Sequence, residues 1–163
     1  MTESNPFERI SLPSRGRLLG IDFGTVRVGI ALCDEGQIIA SPYETYNRRN
    51  ERLDRQFFES LAQETAAVGL VVGLPVHMSG DESQKSIEAR EFGNWLSSVT
   101  GLPVTWVDER YSTAFARELL RAQNLTGKKA KAKLDKVAAQ AILSVYLESS
   151  GDSSCGDSES LDE

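Results

Sequence analysis

Leu18–Ala40 reads LLGIDFGTVRVGIALCDEGQIIA and sets a single carboxylate, Asp22, inside an otherwise apolar first strand, Leu18–Phe23. An ionised side chain in a core strand is costly unless it is paired, hydrated or bound to a metal, and function is the usual reason to keep one there. Strand alternation puts Gly20, Asp22 and Gly24 on one face and Leu19, Ile21 and Phe23 on the other, so the glycines are expected to leave room beside the carboxylate for something large. Working outward, Leu18–Phe23, Arg27–Cys33 and Gln37–Ser41 predict three short strands. Gly24-Thr25 and the turn signal Asp34-Glu35-Gly36 join them into an antiparallel meander.

Beyond the meander, Asn50–Ala66 carries Leu53, Phe57, Leu61 and Ala62 at one-sided spacing, which predicts an amphipathic helix. Val68–Gly73 follows as a short apolar strand, the signature of a crossover onto a parallel sheet. Gly73-Leu74-Pro75 breaks it, and a polar loop through Gly80 leads to a predicted helix over Ser83–Ser98 with Ile87, Phe92, Trp95 and Leu96 inward. Val104–Val107 predicts a fifth strand that runs into Asp108-Glu109-Arg110. Ser112 or Thr113 can cap a helix reaching about Gln123. A basic linker comes next, then a helix over Leu134–Leu147. The expected order is β-β-β-α-β-α-β-α-α, an α/β fold with a five-stranded mixed sheet and helices on both faces. Residues 1–17 read as a flexible extension, 18–148 as one domain, and 149–163 as an acidic disordered tail.

Composition narrows the function classes. The chain has two cysteines in 163 residues, Cys33 and Cys155, with neither a disulfide pattern nor a zinc spacing, so free thiols in a reducing compartment are expected. No segment approaches the ~20 apolar residues of a membrane span, and a cytoplasmic location without membrane contact is the expectation. The acidic pI of 4.9 is misleading as an average. Five acids and no base lie in residues 149–163, so they account for all but −1 of the net charge of −6. Against that near-neutral body, Lys128, Lys129, Lys131, Lys133 and Lys136 form a concentrated positive block able to hold phosphates, unless it is only a solvated loop.

Three acidic positions lie in or at the ends of core elements: Asp22, then Asp108 or Glu109, then Asp135. In a mixed sheet with a central first strand, the carboxyl end of a parallel neighbour lies beside it, where open α/β sheets bind ligands. Clustered carboxylates repel unless divalent cations neutralise them, and oxygen-only donors select Mg²⁺ or Mn²⁺. Such ions activate water against a phosphodiester without a nucleophilic side chain. Each acid also has an ordinary reading. Asp135 could be a first-turn acid favoured by the helix dipole, and Asp108 a surface acid. His77, the one histidine, reads as a surface residue.

These residues resemble a known family. LGIDFGTVRVGIA, VVGLPVHMSG, VDERYSTAFA and KLDKVAAQAILSVYL are similar, in order, to four motifs of the YqgF/RuvX proteins. The resemblance implies a ribonuclease-H-like fold and a metal-dependent nuclease related to the Holliday-junction resolvase RuvC, associated in bacteria with maturing the 5′ end of pre-16S ribosomal RNA. It also implies that Asp22, Glu109 and Asp135 are the catalytic and metal-binding acids, favouring Glu109 over Asp108. Arg27 and Arg110 fall on the motif arginines, as phosphate-binding or site-organising groups or as structural ion-pair partners. With Lys128, Lys129, Lys131 and Lys133 they make the expected substrate-binding set. The partners implied are structured RNA or DNA junctions, met by a monomer or a homodimer. GIDFGT also resembles the phosphate loop of actin-like ATPases, but one such body cannot supply both halves of their nucleotide cleft. A non-catalytic RNA-binding domain is the other alternative.

Overall fold

The computed structural model describes residues 12–75, 83–108 and 127–161, with side chains of the last helix described over 133–150. The strands are β1 (Leu18–Asp22), β2 (Arg27–Cys33), β3 (Ala40–Asn47), β4 (Gly69–Leu74) and β5 (Val104–Asp108). The helices are α1 (Glu51–Thr65), α2 (Gln84–Thr100) and α3 (Gly127–Leu161). The sheet order is β3-β2-β1-β4-β5. β1 pairs antiparallel with β2 and parallel with β4, which pairs parallel with β5. Asp22 thus ends a central strand, beside the carboxyl end of a parallel neighbour.

Alternation divides the core in two. Leu19, Ile21, Val28, Ile30, Leu70 and Val72 pack against Phe58, Leu61, Phe92 and Leu96 of α1 and α2. On the opposite face Leu18, Ala31, Cys33, Val71 and Val107 pack against Ala139, Ile142, Leu143, Tyr146 and Leu147 of α3. Every residue of β4 is buried, as a strand covered by helices on both faces requires.

Local chemistry sets the helix ends. Asn50 accepts from the Leu53 amide at 2.9 Å and starts α1, and Ser83 accepts from the Ser86 amide at 3.2 Å and starts α2. The expected helix starts at Asn50 and Ser83 are therefore their caps. Ala66 closes α1 in the left-handed region, at φ 54°.

Several boundaries differ from expectation. The third strand runs over Ala40–Asn47 rather than Gln37–Ser41, because Asp34 captures the hairpin. Its Oδ1 accepts from the Ile38 and Ile39 amides, both at 2.8 Å, and its carbonyl accepts from the Gln37 amide at 3.0 Å. Ile38 and Ile39 are left in solvent, 76% and 65% exposed. The basic linker is instead the first part of α3, since the lysines alternate with alanines and both are strong helix formers. Helical backbone continues to Leu161, through the stretch set apart above as an acidic tail. The helix expected near Ser112–Gln123 lies outside the described residues. No helix among the described residues is long and apolar enough to cross a membrane.

Candidate active site

Two glycines let α3 approach the sheet beside Asp22. A Cβ on Gly20 would come within 2.7 Å of the Ala139 carbonyl oxygen and 2.8 Å of the Leu143 Cβ, so α3 occupies the room that the sequence reading reserved for something large. A Cβ on Gly29 would overlap the carbonyl oxygen of Asp135. Asp135, Ala139 and Leu143 recur every four residues and form one ridge, which rests on the two strands where they lack side chains. Gly24 serves the turn between β1 and β2, for its Cβ would run into the Arg27 carbonyl.

That seam assembles the site. Asp22 is the register partner of Gly29 across the β1–β2 ladder, and Asp135 sits on Gly29. Alternation from Leu18 and Gly20 turns Asp22 to the α3 face. The structure therefore brings Asp22 and Asp135 to neighbouring positions on one face, from residues far apart in sequence. Arg27, two residues before Gly29 on β2, donates its Nε to Asp135 Oδ2 at 2.7 Å, with the two side chains 34% and 21% exposed. Of the roles weighed for Arg27, the ion-pair partner is the one seen. The first-turn reading of Asp135 fails, because α3 begins at Gly127.

Asp108 ends β5. Val107 packs on the α3 side, whereas Val104 and Trp106 pack on the α1–α2 side, so Asp108 falls with them and away from Asp22 and Asp135. Glu109, Arg110 and His77 lie outside the described residues. Lys133 is half-buried on α3, and for Lys128, Lys129 and Lys131 only the helical backbone is described. Among the described residues no group of three His, Cys, Asp or Glu side chains could hold a metal. Asp22 and Asp135 are two oxygen donors of the kind hard cations take, so the residues present fit such an ion as two of its ligands.

Asp22 also lines a cavity of about 480 Å³ at the carboxyl ends of β1 and β4, with Thr25, Gly73, Lys85 and Glu88. Lys85 and Glu88 escaped the sequence reading, which used α2 only for its apolar side. A polar network missed as well stands next to it. Asp54, 2% exposed, accepts from the Tyr46 hydroxyl at 2.7 Å and the Arg49 amide at 3.0 Å on Oδ1, and from Arg48 Nε at 3.4 Å on Oδ2. Burial, reinforced by the Asp54 carboxylate, pushes the Tyr46 hydroxyl up to about 12. Nothing in the sequence separates Asp54 from an ordinary first-turn acid.

The strand order, the mixed parallel and antiparallel pairing and the carboxylate at the end of the central strand define a ribonuclease-H-like protein. A solved structure of Thermus thermophilus RuvC in complex with a Holliday junction substrate shares this fold, with TM-score 0.53 at 16% identity over 83% of this chain and 96% of that one. The chain belongs to the RuvX family, described as Holliday junction resolvase, whose model matches residues 16–149. Curated relatives named "Putative pre-16S rRNA nuclease" include that of Rhodopirellula baltica, 45% identical over 83% of this chain and 79% of its own. The one from Sphingopyxis alaskensis is 39% identical over 88% of this chain and 93% of its own.

Proposed function

We propose that this protein is a divalent-metal-dependent nuclease that hydrolyses phosphodiester bonds in structured RNA, acting in the cytoplasm on the 5′ end of pre-16S ribosomal RNA. The observation that carries the reading is the seating of Asp135 on Gly29, opposite Asp22. The names of the curated relatives point to the RNA substrate. Asp22 and Asp135, with Glu109 as the third carboxylate, would hold Mg²⁺ or Mn²⁺. The side of the sheet on which Asp108 falls favours Glu109 for that role. Such ions supply an activated water and neutralise charge on the leaving oxygen. The chain's own groups bind and orient: Arg27 fixes the Asp135 carboxylate, while Arg110, Lys128, Lys129, Lys131 and Lys133 carry phosphates of the substrate.

Cleavage of a pre-16S precursor with Mg²⁺ or Mn²⁺ tests this reading. Asp22→Asn is expected to slow it on the order of a hundred-fold or more, and a chelator to abolish it. Cleavage by Asp22→Asn at the wild-type rate would refute the assignment. The family description supports a second reading, resolution of four-way DNA, which needs paired sites in a two-fold dimer. It predicts a dimer in solution and faster cutting of junctions than of duplex.

A further inference from the structure

Beside the cavity at Asp22 lies a second of about 510 Å³ that shares Phe23, Thr25 and Glu88 with it in its lining and extends toward α1. The floor of this second pocket is aromatic. Phe23 and Phe92 have ring centroids 4.8 Å apart, and Phe92 and Trp95 stack at 5.6 Å with an interplanar angle of 30°. Over the floor lies Arg48, its Cζ 5.7 Å from the Phe23 centroid and 5.1 Å from that of Phe92. The buried Asp54 carboxylate holds it there.

Charge decides what the pocket can take. Two arginines line it, Arg48 and Arg49, against four carboxylates, those of Glu51, Asp54, Glu88 and Glu91. Since Arg48 is already paired with Asp54, a phosphate would meet net negative charge. A nucleobase is uncharged, lays its face on aromatic rings and a guanidinium, and offers amino N–H donors to carboxylate acceptors at the rim. The volume lies in the ordinary range for small-ligand pockets.

We infer that this pocket receives one unpaired nucleobase of the substrate, adjacent to the phosphodiester bond presented at Asp22, and favours bases with an exocyclic amino group over uracil. The inference rests on the proposed cleavage site at Asp22. A paired, stacked base cannot enter, so the strand is single or locally open where it is cut.

The test is binding of a short single-stranded RNA in chelator, with each position made abasic in turn so that phosphates stay and one base is lost. One position is expected at which base removal weakens binding about ten-fold, with uracil there intermediate. Trp95→Ala and Arg48→Met should lose the same factor on intact RNA and nothing more on the abasic RNA. Glu91→Ala, at an exposed position, should weaken the preference for amino-bearing bases without altering abasic binding, and it carries the test if Trp95→Ala does not fold. Equal binding of intact and abasic RNA at every position overturns the inference. So do variants that weaken both RNAs alike. Because binding is read without metal, base dependence in a protein that fails to cleave would refute the nuclease reading alone, whereas cleavage without base dependence would refute only the pocket.

Discussion

Asp135 stands between two opposite influences, the Arg27 guanidinium bonded to it and the Asp22 carboxylate across Gly29. Arg27 is a positive charge that offsets the repulsion Asp135 meets from Asp22. Removing it as Arg27→Met should cost about 1 kcal/mol in chelator, the scale of a partly exposed ion pair. Millimolar Mg²⁺ should restore most of that loss, because the ion replaces the missing positive charge. Urea unfolding with and without Mg²⁺ measures both, and an equal loss in the two buffers would contradict the arrangement. At this scale Asp22 was legible in the sequence, since an acid in an apolar strand has few ordinary roles. Its grouping with Asp135 came from the places of both acids in core elements and was repeated by the family motifs, while their adjacency across Gly29 is a tertiary fact that no local pattern encodes. Arg27 could be marked as important but not assigned to a partner.

The secondary-structure elements give sharper mutational expectations. Gly29→Ala drives a methyl group into the α3 backbone, and a loss of about 3 kcal/mol or more is expected from denaturant midpoints. Ala66→Gly should go the other way. The residue at φ 54° is a left-handed alanine, and relief of its strain outweighs the added freedom of the unfolded chain by about 0.5 kcal/mol. A thermal melt that falls instead would contradict the strain argument. The caps at Asn50 and Ser83, the buried β4 and the inward Phe92 and Leu96 of α2 were readable because each rests on residues within a few positions, whereas Ile87, expected inward, is 40% exposed. β3 was misplaced because Ile38 and Ile39 look like strand residues, while the deciding group is the Asp34 side chain before them. Two amide hydrogen bonds, from Ile39 and Ile38, also hold the Asp34 carboxyl below its usual range.

For the molecule as a whole, alkaline pH offers a test that leaves the acids of the site alone. Tyr46 ionises near 10 when unfolded and at about 12 when folded, so the folded state keeps its proton longer. Its contribution to stability is full below pH 10 and is lost as pH rises toward 12, a fall on the order of 2 kcal/mol. In Tyr46→Phe that fall should vanish from the pH profile of the urea midpoint, at the cost of a lower plateau because Asp54 loses a donor. The seam of α3 on Gly20 and Gly29 has a further consequence for the molecule's motions. The helix that closes one side of the core also carries one of the two paired acids, so it cannot lift away without separating them. At the proposed metal site, divalent ion binding would compete with the undocking of α3, and Mg²⁺ should slow hydrogen exchange at the α3 amides around Asp135 to Leu143 more than at those of α1. Uniform protection of both helices would mean that the ion is held by the sheet alone.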